Sequence, residues 1–252
     1  MNSLGFVEVT TESDIRGAIS DEMHAGTRLT VRLLNDIYLT STLNLSRHAM
    51  VLDLNGCSLI GTAGVEPLVD IGNGITVTDD KAMLYSSSLL SQGPVQDVVV
   101  KNGYLYSNGG AVFTMQASRV SLRELTIDGG DKLFDGSATA TRAWSRLSDC
   151  SWTPDGVAAQ TWPSGLRATQ LTITEPHGTI TLLVGASITD SLLDGNVVCS
   201  GDSSMVQGCN ANGGVLDFTT SALNHRNISN NVRTGATSGA TIGANDIFGD
   251  NN

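Results

Sequence analysis

The sequence predicts an all-β chain, a right-handed parallel β-helix (a solenoid of stacked three-strand coils) with a short N-terminal capping helix and a polar C-terminal arm. Three observations carry that expectation. Short β runs recur every 20–25 residues. Aligned copies of the repeat place apolar residues in the same columns. The segments between copies, such as SNGGAVFTMQASRV and DGGDKLFDGSATATRA, are poor helix material. Composition agrees: across 252 residues, 40% are hydrophobic, only 15% are charged, and there are 28 Gly against 5 Pro. That suits aliphatic stacks joined by many turns.

The first element is helical. Thr11 is placed to cap it, with Asp14 three residues on in a capping-box-like arrangement. Ile15, Ala18, Ile19 and Met23 follow on one face, and Gly26 ends the helix. Short β runs then take over at 28–34, 36–46, 49–56, 74–79 and 97–107. Val31, Leu54, Val77, Val100 and Leu122 centre successive runs at intervals of 23, 23, 23 and 22 residues.

The later chain repeats more openly. LRELTI (122–127), LSDCSW (147–152), ATQLTI (168–173) and ITDSLL (188–193) align without gaps, and MVQGCN (205–210) is a weaker fifth copy. The first, fourth and sixth columns are apolar or small in all four strong copies. The third column, Glu124, Asp149, Gln170 and Asp190, is polar throughout. One coil cannot bury its own apolar face, so such a pattern must persist over several turns. The polar column belongs at the bend between two strands of each coil. A leucine-rich repeat has a similar period but needs a helix-forming stretch after each LxxLxL, which the spacers do not supply. The organisation that follows is a segment with the capping helix over 1–26, the β-helix over 27–218 and an extended polar arm over 219–252.

The stretch from VTTESDIRGAI to VLDLNGCSLIG (9–61), with its short helix, its NDIYL strand and its LDLNGCSL element, resembles the opening of pectate-lyase-like β-helix proteins. The resemblance covers about the first quarter of the chain, and the repeats through about residue 213 continue it. It implies the fold. Proteins similar in this way include polysaccharide lyases, glycoside hydrolases, bacterial adhesins and phage tailspike or other virion proteins.

Charge narrows the partners. The 14 Lys+Arg against 25 Asp+Glu give a net charge of −11, which repels phosphate backbones and argues against nucleic acid. No apolar run approaches the roughly 20 residues of a membrane span. The opening MNSLGFVEVTTESD has neither a basic nor an apolar segment of a secretory signal, so the expectation is synthesis in a cytoplasm with Cys57, Cys150, Cys199 and Cys209 as free thiols.

Several constellations can carry chemistry. Glu124 and Asp149 share a column, so their backbones should lie about one strand spacing, ~4.8 Å, apart. Two carboxyls that close can split their pKa values and act as acid and base on a glycosidic bond. A polar bend column accounts for the same residues without catalysis. Asp128, Asp131 and Asp135, in the Gly-containing stretch DGGDKLFD, are candidates for calcium, although the spacing lacks the EF-hand pattern. Glu175 and His177 in EPHG pair an acid with a titratable ring. They are faintly similar to the GHG element of polygalacturonase-type hydrolases, but the NTD and RIK elements are missing and Asp79-Asp80 lies about four coils earlier. A turn histidine is the better reading. Arg119, Arg123, Arg142, Arg146 and Arg167 form no identifiable basic-acidic cluster with these acids. Trp152 aligns with Ile127 and Ile173 and is expected in the core, as is Cys150, which aligns with Leu125. Trp144 and Trp162 fall in connecting segments, open to stacking on a sugar.

The expectation placed first is a bacteriophage virion protein without catalysis or cofactor, a capsid-decorating, head-fibre or tailspike-type component. It would be a homotrimer located in the virion and contacting other virion proteins. The alternatives are a polysaccharide depolymerase using Glu124 and Asp149, and a non-catalytic glycan-binding module.

Overall fold

A computed structural model describes residues 7–20, 29–45, 50–62, 64–65, 68–70, 75–79, 97–114, 119–135, 145–201, 203–211, 216–217, 226–228, 233–234 and 246–248. They fall into two compact units, Met1–Gly103 and Tyr104–Asn252. Each is a stack of parallel strands, so the chain is a parallel β-solenoid. The described residues hold one α-helix, Glu12–Ser20, and otherwise strands, bends and turns. No helix among them is long and apolar enough to cross a membrane.

The helix starts where its capping residues dictate. The Asp14 carboxylate accepts hydrogen bonds from the Thr10 hydroxyl and from the N–H groups of Thr10 and Thr11, and the Asp14 N–H donates to Thr11 Oγ1. Thr10 and Thr11 hold the Asp14 carboxyl below its usual range. Ile15 is fully buried, with Ala18 and Ile19 packed alongside. Met23 and Gly26 lie outside the described residues. A second device docks the helix on the first coils. Arg16 pairs with Glu12 at 2.7 Å and donates to the carbonyls of Ser41 and Thr42. Glu12 in turn accepts from the N–H and hydroxyl of Thr40.

In the first unit, strands Val7–Val9, Leu29–Leu33, Met50–Asp53, Ile75–Thr78 and the start of Asp97–Ser107 form one parallel ladder. Its central column is Val31, Leu52, Val77 and Val100. The expected Leu54 is thus displaced by two residues. Leu52 is fully buried and Leu54 only partly so, because the chain turns at Asn55 with φ 53°. The run 36–46 divides into Ile37–Leu39 and Leu43–Asn44, paired with Leu59–Gly61 and Val69–Asp70 to make the other walls. Strand alternation sends Leu29, Val31 and Leu33 inward together. Full burial of each such side chain contributes roughly 1.5–3 kcal/mol. Within this core wall the buried Asp53 pairs with Arg32 at 2.9 Å and accepts the N–H of Asn55.

In the second unit the repeat columns become physical stacks. Leu122, Leu147, Ala168, Ile188 and Val206 are in register, as are Ile127, Trp152 and Ile173. The fifth copy is VQGCNA (206–211), one residue later than MVQGCN, because Val206 rather than Met205 pairs with Ile188. A second wall stacks Gln160–Trp162, Ile180–Leu182, Val197–Cys199 and Leu216–Asp217. A third pairing joins Ala111–Thr114 to Lys132–Asp135. Trp152 is fully buried, and its indole N–H donates to the Gly129 carbonyl at 3.0 Å. Trp162 is also fully buried, edge-on to Phe134 at 5.5 Å between ring centroids. It therefore belongs to the core and not to an open connecting segment. Trp144 lies outside the described residues. Beyond residue 218 the described strands Arg226–Ile228, Arg233–Thr234 and Asp246–Phe248 pair in parallel on the same ladder.

Candidate functional site

The polar column is where the chain turns left-handed. Glu124, Asp149, Gln170 and Asp190 have φ of 54°, 54°, 53° and 51°, and the fifth copy places Gly208 there at 64°. For an L-residue this conformation costs roughly 1–2 kcal/mol, least for Asn, Asp and Gly. The carbonyl of the residue before each bend faces the preceding coil, where it accepts the N–H of that coil's bend residue. Asp149 N–H donates to Thr169 O, Gln170 N–H to Thr189 O, and Asp190 N–H to Gln207 O. The fourth column closes the bend from inside. Cys150 Sγ reaches Ser148 O, Ser191 Oγ reaches Thr189 O, and Cys209 Sγ reaches Gln207 O, each two residues back. Small S–H and O–H residues therefore fit this column beside Leu125 and Leu171.

Glu124 and Asp149 do come together. With Gln170, Thr126, Ser151 and Thr172 they line an open concavity of about 390 Å³ on the outside of the solenoid. Both carboxylates are exposed. The arrangement is a shallow polar groove. Leu125 and Cys150 complete its lining, and its third rung is the amide Gln170 in place of an acid.

The aspartates proposed for calcium are separated by secondary structure. Asp128 lies inside the strand Arg119–Gly129, where its Oδ2 accepts the Tyr104 hydroxyl at 2.7 Å. Asp131 sits at the following bend with Oδ1 buried and without a hydrogen-bond partner. Asp135 ends the next strand, its backbone aligned with Thr114, and its side chain lies outside the described residues. Among the described residues no group of three His, Cys, Asp or Glu could hold a metal ion.

His177 is a buried turn residue, 5% exposed. Its N–H donates to Asp194 O at 2.9 Å, and its Nδ1 bonds the Gly178 carbonyl at 2.6 Å. Burial lowers its pKa against the opposing pull of Gly178 O and Asp194. Glu175 is exposed. Asp79 accepts the Gly56 N–H, and Asp80 lies outside the described residues. Arg123, Arg146 and Arg167 are exposed, while the side chains of Arg119 and Arg142 are outside the described residues. Burial pushes the Cys150 and Cys209 thiols up to about 11, which keeps them protonated and unreactive.

Family models, curated proteins and solved structures offer no match to this chain. The β-solenoid therefore stands on the register of its own strands.

Sequence reasoning missed two features. One is Gln160, whose Oε1 accepts from Leu133 N–H, Phe134 N–H and the Trp162 indole. The other is the exposed pair Tyr104 and Tyr106 beside Asp128. The alternation in YLY was a signal for it, since residues two apart on a strand share a face.

Proposed function

We propose that this chain is a structural component of a larger assembly. It acts without catalysis, in the manner of virion proteins built on pectate-lyase-like β-helices: capsid-decorating, head-fibre or tailspike-type. The observation that carries this reading is the left-handed bend at Glu124, Asp149, Gln170 and Asp190. Backbone geometry accounts for Asp149, Asp190 and Gly208 in the column, and exposure to solvent accounts for the polar side chains of Glu124 and Gln170. Thiols packed as small hydrophobes suit a protein that folds in a reducing compartment. The reading expects a homotrimer, and light scattering behind a sizing column tests it on the full chain. A threefold mass supports it, and a monomer at micromolar concentration counts against it.

A depolymerase is the second reading, favoured by the groove that Glu124 and Asp149 share. It requires cleavage of a polysaccharide that Glu124→Gln or Asp149→Asn abolishes while the circular dichroism spectrum is unchanged. Turnover that survives both substitutions removes these two carboxylates from consideration.

A further inference from the structure

The outer face of the second unit carries two large aromatic side chains that the core does not use. Tyr104 and Tyr106 are 59% and 66% exposed, and they occupy alternate positions of one strand, so both rings stand on the same face about 6.6–6.8 Å apart along the chain. Leu105 between them points the other way and is half-buried. Tyr104 is held by its hydroxyl, which donates to Asp128 Oδ2 at 2.7 Å, so the ring is oriented and only its face is free. Asp128 retains a second oxygen. Thr126, exposed and two residues before Asp128 on the same strand, is also a wall of the groove that Asp149 and Gln170 line. The rings therefore border a strip of hydroxyl, amide and carboxylate groups.

We propose that Tyr104, Tyr106 and Asp128 form a binding platform for a neutral polysaccharide, with the chain continuing across Thr126 into the groove at Glu124 and Asp149. A pyranose ring presents an apolar face of C–H bonds, whose positive ends meet the negative face of a tyrosine ring. Its equatorial hydroxyls suit carboxylate and threonine acceptors. The strand spacing of ~4.8 Å is close to the length of one sugar unit, so successive coils can meet successive rings. Charge selects within the class. Glu124, Asp128 and Asp149 stand on the same side, and a uronic-acid or phosphate-bearing chain would bring like charges against them. The carboxylates and hydroxyls around the rings also disfavour an interface with a second copy, whose buried centre is depleted of charge.

The test uses the full-length protein in affinity electrophoresis through gels containing mixed-linkage β-glucan, xylan, dextran or polygalacturonate, with soluble polylysine in a parallel titration calorimetry cell. The expected result is retardation by at least one neutral polymer. The double substitution Tyr104→Ala/Tyr106→Ala should weaken it at least tenfold, and Tyr104→Phe/Tyr106→Phe should weaken it less, because the ring faces remain although the hydroxyl tie to Asp128 is lost. Equal melting temperatures of the variants establish that the fold is intact. Migration unaffected by all three neutral polymers overturns the proposal. So does retardation that survives the double alanine change, or binding confined to polygalacturonate or polylysine. The platform does not depend on the assembly reading. A monomer that binds glucan refutes the trimer alone, and a trimer that binds none refutes the platform alone.

Discussion

The imidazole of His177 lies so close to Gly195 that a Cβ on the glycine would stand 2.7 Å from both Nδ1 and Cε1 of the ring, and 2.5 Å from the His177 carbonyl oxygen. The two residues sit in adjacent coils, tied by the bond from His177 N–H to Asp194 O. A methyl group at 195 would meet backbone that cannot swing aside, so Gly195→Ala should cost about 1–3 kcal/mol, the usual range for overpacking. Urea unfolding measures it. The same pair makes stability depend on acid. Burial lowers the folded pKa of His177 below its ordinary 6.5, so the unfolded chain binds the proton first. Stability contributed by the neutral ring is present above pH 6.5 and is lost as pH falls through the folded value. His177→Gln should flatten this part of the pH profile, and an unchanged slope would show that other groups carry it.

The bend column predicts an unusual ranking of substitutions at Glu124. At φ 54° a β-branched side chain is the worst occupant and asparagine or glycine the best. Glu124→Val should be destabilising, while Glu124→Asn should be neutral or stabilising. An exposed position in an ordinary strand would show the opposite order, since valine has the higher strand propensity. Thermal melts of the two variants separate the cases.

The columns of the second unit were legible in the sequence because strand stacking repeats a chemical demand at nearly fixed intervals. Leu122, Leu147, Ala168 and Ile188 answer to the same interior wall. The third column was readable for the same reason, since one backbone conformation recurs in each copy. Spacing misled where that conformation fell at a different offset. Leu54 sits at the expected interval of 23 from Val31, yet Leu52 pairs with Val31 because the turn at Asn55 follows it. The fifth repeat slipped by one because Met205 and Val206 are both apolar, and only strand pairing decides which faces inward. Trp162 reads as part of a connecting segment in the sequence because the second wall, QTW, ITL and VVC, has too few residues per strand to show a period. The Tyr104–Asp128 contact spans 24 residues and belongs to no column, so no repeat could reveal it.

Gln160 predicts a large loss from a conservative change in size. Its Oε1 gathers three donors, the backbone N–H groups of Leu133 and Phe134 at 3.0 and 3.4 Å and the Trp162 indole N–H at 3.0 Å, in a buried setting. Gln160→Leu removes the acceptor and strands those donors, at about 1–3 kcal/mol for each group left unsatisfied. Gln160→Glu retains an acceptor but buries a charge. Its penalty should therefore shrink as pH falls and the carboxyl protonates, whereas the leucine variant should keep its deficit at every pH. Parallel denaturant titrations at neutral and acid pH distinguish the two.

The thiols predict a two-stage reaction with a disulfide reagent. Cys150, Cys199 and Cys209 are buried, while Cys57 is only half-buried. Burial holds Cys150 and Cys209 at about 11, above the ordinary 9.0, so at pH 8 the reactive thiolate is scarce in the folded state. Native protein mixed with a chromogenic disulfide should thus release about one equivalent quickly from Cys57. The remaining three should react only at the rate of unfolding, or at once in guanidinium. Stability should also fall as pH rises from 9 toward 11, because the unfolded chain ionises these thiols first and the protonated forms are favoured only in the fold. Cys150→Ala and Cys209→Ala should each reduce that alkaline loss, though each also opens a cavity and frees a carbonyl in its bend. The informative quantity is therefore the slope of stability against pH, which cavity formation does not alter. If the slope is unchanged in both variants, the two thiols are exposed to water in solution and the bend is not closed from inside.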